Sequence, residues 1–120
     1  MDLSVRIGDK LTLENPIMPA SGPLVGDSEK ILALAAQGVG GIVTKTISVR
    51  EAHVPRPCII GGNDYIMNTE LWSEYPPDRW EKEFLPSIRR AGKPIFISLG
   101  YKEEEILSLI PRFEPFADAF

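Results

Sequence analysis

Short apolar runs of the kind that form buried strands return along this chain at a nearly even spacing, with helical sequence or loop between them. They start near Asn15, Gly41, Pro94 and Ala117, which gives three units of roughly 34 residues each, close to the ~31 that a (β/α)₈ barrel spends per unit. Each run is apolar throughout rather than alternating, as expected of a parallel strand covered on both faces. The order strand, helix, strand, loop, helix, strand, helix, strand therefore predicts an α/β fold with a parallel sheet. A doubly wound sheet fits the same alternation, but it ordinarily carries G-x-G-x-x-G after its first strand, and Ser21-Gly22-Pro23-Leu24-Val25-Gly26 does not match.

Ahead of these units, Leu3–Ile7 and Leu11–Glu14 alternate around Gly8-Asp9-Lys10 and predict a short hairpin within residues 3–14. The barrel strands are expected near 15–20, 41–46, 94–99 and 117–120. Asp27 or Ser28 caps a predicted helix through Ala36 that Gly38 stops. From Ile47 to Tyr75 prolines and glycines punctuate a long excursion of turns and extended pieces, which compact domains seldom keep without a use. Pro76-Pro77-Asp78 opens a second helix with Trp80, Phe84 and Ile88 on one face and a kink at Pro86, and the helix from Lys102 to Ile110 is expected to end at Pro111.

Composition excludes several classes. With 43% hydrophobic and 25% charged residues the chain is of globular type, and a net charge of −4 offers no footprint for nucleic acid or an anionic membrane. One cysteine, Cys58, rules out an internal disulfide framework or a multi-cysteine metal site, and no metal centre is expected. Neither a signal-type segment nor a run of ~18 apolar residues is present, so the expected setting is cytoplasmic, without a membrane partner.

Candidate chemistry gathers where strands end, because a parallel barrel presents its active site at the C-terminal strand ends. Lys45 stands at such an end and can hold an anionic ligand or a reduced cofactor ring, or it can merely snorkel to water. Ala20-Ser21-Gly22 closes the first run with small residues and a hydroxyl, suited to a flat ligand or simply to a turn. Asn68 and Glu70 are polar groups embedded in apolar sequence, fit to read a small polar molecule or to lie on an exposed loop. Cys58 and His53 share one loop but lack a third partner, and each is read as structural or exposed; the Glu103–Glu105 run is read as a helix's acidic first turn.

Asn15-Pro16-Ile17-Met18-Pro19-Ala20-Ser21-Gly22, then Gly41-Ile42-Val43-Thr44-Lys45-Thr46, then Asn68-Thr69-Glu70-Leu71 resemble, in order, the start of the FMN-dependent dihydroorotate dehydrogenases and the pyrimidine domain of dihydropyrimidine dehydrogenases. The resemblance covers nearly all of residues 1–120 and implies the first three to four βα units of a (β/α)₈ TIM barrel, a partial FMN-binding domain preceded by the hairpin. It implies FMN contacts from Ala20, Ser21, Gly22, Lys45 and Thr46, with Lys45 stabilising charge on the reduced ring, and substrate contacts from Lys45, Asn68 and Glu70. The catalytic Cys or Ser loop and the flavin phosphate site are expected beyond Phe120, so no general acid or base is assigned here.

Asn68-Thr69-Glu70-Leu71-Trp72-Ser73 is similar to the dihydropyrimidine dehydrogenase pattern, and a carboxylate at 70 is expected to repel that of orotate. The expected function is therefore FMN-dependent oxidation or reduction of the C5–C6 bond of a neutral pyrimidine-like ring. Dihydroorotate dehydrogenation is the alternative, and a non-catalytic barrel fragment that needs a complementary chain is a further one. A homo-oligomer is expected, with an electron-transfer subunit as a further partner.

Overall fold

The computed structural model describes residues 1–120. Strands β1 (Val5–Ile7) and β2 (Leu11–Leu13) form the expected antiparallel hairpin, with Val5 opposite Leu13. Gly8 makes its turn with φ +58°, a conformation that an L side chain resists. Leu13 is the residue of this hairpin that enters the core.

The expected strand at 15–20 is not one. Pro16 and Pro19 have no N–H to give a ladder, and the segment instead lies against the next unit through a compact set of bonds. The Asn15 side chain donates from Nδ2 to the Gly38 carbonyl at 2.9 Å and accepts from the Ile17 N–H at 3.0 Å, and the Gly40 N–H donates to the Ile17 carbonyl at 2.8 Å. The approach is so close that a Cβ on Gly40 would stand 1.9 Å from the Asn15 carbonyl oxygen. Helix α1 (Ser28–Ala35) is capped by Asp27, whose side chain accepts from the Lys30 N–H at 2.9 Å, and it is left through Gly38 at φ +83°.

Strand β3 (Ile42–Val43) pairs in parallel with β6 (Ile95–Phe96), Ile42 opposite Ile95, and single bridges extend the pairing from Ile47 to Leu99 and from Phe96 to Ala119. The segments expected at 41–46, 94–99 and 117–120 thus lie side by side and parallel in chain order, although the regular ladder is much shorter than the apolar runs. Overall the pairing makes three separate two-stranded sheets rather than a closed barrel. The third is an antiparallel hairpin inside the long excursion, β4 (Ile59–Gly61) against β5 (Ile66–Asn68), turned by a Gly62–Tyr65 hydrogen bond and exposed along its whole length.

Helices α2 (Pro77–Arg79) and α3 (Leu85–Arg89) are joined without a break by a π-helical turn, Trp80–Phe84, in which the Leu85 N–H reaches back five residues to Trp80. Pro86 explains it: in a regular helix Pro86 would leave the Lys82 carbonyl without its donor, and the widened turn absorbs the mismatch. This is the expected kink in its actual form. Helix α4 (Glu103–Phe113) runs through Pro111 instead of ending there. The lost donor faces the carbonyl of Leu107, an exposed residue in the middle of the helix, where water can take its place.

The core lies between the parallel strands and the helices, with Ile31, Ile42, Ile47, Trp80, Leu85, Ile95 and Phe113 fully enclosed. Each such side chain contributes about 1.5–3 kcal/mol by leaving water. No helix is long and apolar enough to cross a membrane. Because the Asn15–Gly40 approach leaves no room for a methyl group, Gly40→Ala is expected to lower the unfolding free energy by about 2–3 kcal/mol, read as a reduced denaturant midpoint with unchanged slope.

Candidate functional site

Backbone pairing past the regular strands brings the site together. The Lys45 N–H donates to the Val25 carbonyl at 3.0 Å, fixing the strand end against the loop that carries Ser21. The Ser73 N–H donates to the Thr46 carbonyl at 2.8 Å, and this bond draws the far end of the excursion, with Glu70 and Trp72, onto the same strand end. Residues more than twenty apart in sequence therefore share one cavity of about 390 Å³, whose lining includes Ser21, Lys45, Thr46 and Glu70.

Its centre is an ion pair. Lys45 Nζ lies 2.7 Å from Glu70 Oε1, and the two side chains keep 6% and 10% of their exposure. A buried ammonium is costly unless paired, so Lys45 does not snorkel to water. The Cys58 thiol and the Lys45 ammonium hold the Glu70 carboxyl below its ordinary range, outweighing the opposite push of burial. Arg56 Nη1 adds a second positive charge 3.8 Å from Glu70 Oε2, while its other nitrogen is paired with Glu74. The pair also borders a smaller cavity of about 210 Å³ that Arg56 and Cys58 line, and so forms the partition between the two.

Hydroxyl groups link the strand ends on the other side. Ser21 Oγ and Thr46 Oγ1 are 3.1 Å apart, and Thr46 Oγ1 and Ser98 Oγ are 2.9 Å apart, so the loop after 15–20 and the ends of two strands share one chain. Gly100 completes the floor, where a Cβ would come within 3.0 Å of the Thr46 methyl.

Four residues singled out from sequence thus meet in one cavity: Ser21, Lys45, Thr46 and Glu70. Ala20 and Gly22 flank Ser21 on its loop. Asn68 stands apart on the exposed end of β5, and its Oδ1 accepts the Glu70 N–H at 2.8 Å, which turns the chain so that Glu70 points inward. Sequence reasoning missed Arg56, Ser98, Trp72 and Tyr101, and it set Cys58 aside, although its sulfur accepts from Arg56 at 3.2 Å beside Glu70. For Ser98 and Tyr101 a signal existed, since both stand at the end of a predicted strand, where Lys45 was sought. His53 is exposed.

No family model matches the chain. Among curated proteins it is 30% identical over 116 residues to the dihydroorotate dehydrogenase B (NAD(+)) catalytic subunit of Thermoplasma acidophilum, covering 87% of this chain and 38% of that protein. It is 31% identical over 99 residues to the protein of the same name from Geotalea uraniireducens, covering 82% of this chain and 32% of that one. It is 29% identical over 115 residues to that from Geobacter sulfurreducens, with 94% and 37% covered. The chain thus spans about a third of the length of the curated relatives it matches. The resemblance read from the sequence is borne out: over most of its length the chain is a distant relative of the dihydroorotate dehydrogenases.

Glu70→Gln keeps the shape of the pair and removes one charge, leaving Lys45 buried without a counter-ion. A loss of about 3 kcal/mol is expected at neutral pH. The folded-state pKa of Glu70 lies below its ordinary 4.5, so its contribution is present above that value and fades as pH falls through the folded value. Denaturant midpoints measured across this range should show the gap between wild type and Glu70→Gln narrowing below pH 4.5.

Proposed function

We propose that this chain supplies one wall of the flavin and substrate site of an FMN-dependent oxidoreductase that acts on the C5–C6 bond of a dihydropyrimidine, with dihydroorotate as its substrate. The observation that carries the reading is the meeting of Ser21, Lys45, Thr46 and Glu70 in one cavity, in a chain whose relatives are named dihydroorotate dehydrogenases. Residues 1–120 are read as the first units of the (β/α)₈ barrel, in keeping with the parallel order of 42–47, 95–99 and 119.

The donor set fits FMN. A hydroxyl at Ser21, a buried ammonium at Lys45 and a floor kept flat by Gly100 suit a planar ring that carries carbonyl acceptors and takes on negative charge. When bound, FMN supplies the hydride acceptor. Ala20, Ser21, Gly22, Lys45 and Thr46 would hold it, and none of the residues gathered here is assigned as the base that takes the substrate's other proton.

The expectation that Glu70 repels a substrate carboxylate rested on a free charge. Glu70 is instead committed to Lys45, with Arg56 close to its second oxygen, so an anionic substrate meets no uncompensated carboxylate. This removes the objection to dihydroorotate, the reading that the relatives favour over a dihydropyrimidine dehydrogenase. A second reading, a neutral ring whose N–H groups donate to Glu70, retains one observation in its favour: Glu70 lines the cavity with its carboxylate ionised. Asn68 contributes to either reading by setting the direction of Glu70. A separate electron-transfer subunit is proposed as a partner because the relatives are named catalytic subunits, and a cytoplasmic homo-oligomer is the setting proposed for it.

Anaerobic flavin bleaching tests the proposal on a complete, FMN-loaded barrel that carries this chain as its first units. Dihydroorotate is expected to reduce the flavin at least about tenfold faster than dihydrouracil, and Lys45→Ala to slow that reduction by about 10²–10³. Preference for dihydrouracil that Glu70→Gln abolishes would establish the second reading, and a complete barrel that binds no FMN would refute both.

A further inference from the structure

Two aromatic rings stand at the cavity without belonging to the core. Trp72, from the segment that follows β5, and Tyr101, directly after Gly100, meet edge to face with centroids 4.7 Å apart and planes at 80°. Trp72 is fixed in orientation by its own hydrogen bond, Nε1 donating to the Arg50 carbonyl at 2.8 Å. Tyr101 is 62% exposed, and neither ring belongs to the buried apolar cluster that holds the helices to the strands. Membership of the core therefore does not account for the pair.

Position does. Both rings line the Lys45–Glu70 cavity, and both also line a larger hollow of about 680 Å³, bordered by Arg50, Lys102 and Glu105, whose carboxylate is turned onto the Tyr101 and Lys102 N–H groups. The pair is thus shared between the inner space and an outer one that carries two cations and one carboxylate. Edge-to-face packing leaves ring surface uncovered, and an uncovered aromatic face held at a fixed angle is suited to stack on a flat, electron-poor ring.

We infer that Trp72 and Tyr101 form a specificity wall of the site, lying against the ring of a pyrimidine carboxylate, which is fully planar in the orotate form, that arrives past Arg50 and Lys102. The inference rests on the dihydropyrimidine reading above and names the residues that select a flat ring within it. Tyr101 is the more telling of the two, because its exposure means that truncation removes a contact surface without opening the core.

Calorimetric titration of the complete barrel that carries this chain with orotate, and separately with FMN, tests it. Tyr101→Ala and Trp72→Ala are each expected to weaken orotate by about tenfold or more, as base-on-aromatic contacts do, while Tyr101→Phe stays within about twofold of wild type. FMN affinity should remain within about twofold in all three. Should Trp72→Ala fail to fold, the Tyr101 pair of variants decides alone. If orotate binds wild type and Tyr101→Ala equally, the wall is refuted and the wider reading stands; if FMN affinity falls in place of orotate affinity, the rings hold cofactor and the inference is likewise wrong. If wild type binds FMN but no orotate, the dihydroorotate reading fails and takes the wall with it.

Discussion

An ammonium group almost withdrawn from water sets the terms for this molecule. Lys45 sits where a buried strand runs out, and a charge there costs several kcal/mol unless a partner meets it. The partner, Glu70, comes from the far end of the excursion between β3 and α2. One contact at 2.7 Å therefore decides where that excursion returns, which residues face the cavity and which face solvent. The Ser73–Thr46 backbone bond holds the return in place, and the Asn68 side chain turns the chain inward just ahead of it.

The opposite wall depends on shape rather than charge. Asn15 fastens the proline-containing segment to the Gly38–Gly40 turn, and this contact exists because Gly40 lacks a Cβ. With that segment placed, Ser21 reaches Thr46 and, through it, Ser98. Two unlike devices, a neutralised buried charge and a close backbone approach, thus bring one hydroxyl, one cation and one carboxylate to a shared space. The same packing leaves Trp72 and Tyr101 at its rim, outside the core.

Much of this is legible in the residues. The Asp27 cap, the Gly38 stop, the β1–β2 hairpin and the order of the apolar runs from Gly41 onward depend on local chemistry and appear where expected, whereas the run at 15–20 does not become a strand. The π-turn before Pro86 was legible as a kink but not in kind, because a missing N–H says that a helix must adjust and not how. The 59–68 hairpin was passed over as irregular. Its Ile-Ile and Ile-Met pairs flank a Gly-Asn-Asp turn, yet with both faces exposed it lacks the alternation that marks a half-buried strand. The continuation of α4 through Pro111 turns on solvent access at the carbonyl of Leu107, which sequence does not display.

By itself, the sequence determined the helices, the N-terminal hairpin, the order of the apolar runs from Gly41 onward, and the polar residue types placed at the strand ends. Those follow from periodicity, capping and side-chain chemistry, all of them local. The tertiary structure alone decided that Glu70 is paired rather than free, that Cys58 and Arg56 stand beside it, and that Asn68 positions a neighbour from outside the cavity. Pairing between residues 25 apart is a matter of where the chain returns, and that is set by burial and long-range hydrogen bonds. The reversal is largest at Glu70: a carboxylate that reads as a free charge in the sequence is buried against Lys45, with Arg56 close to its second oxygen.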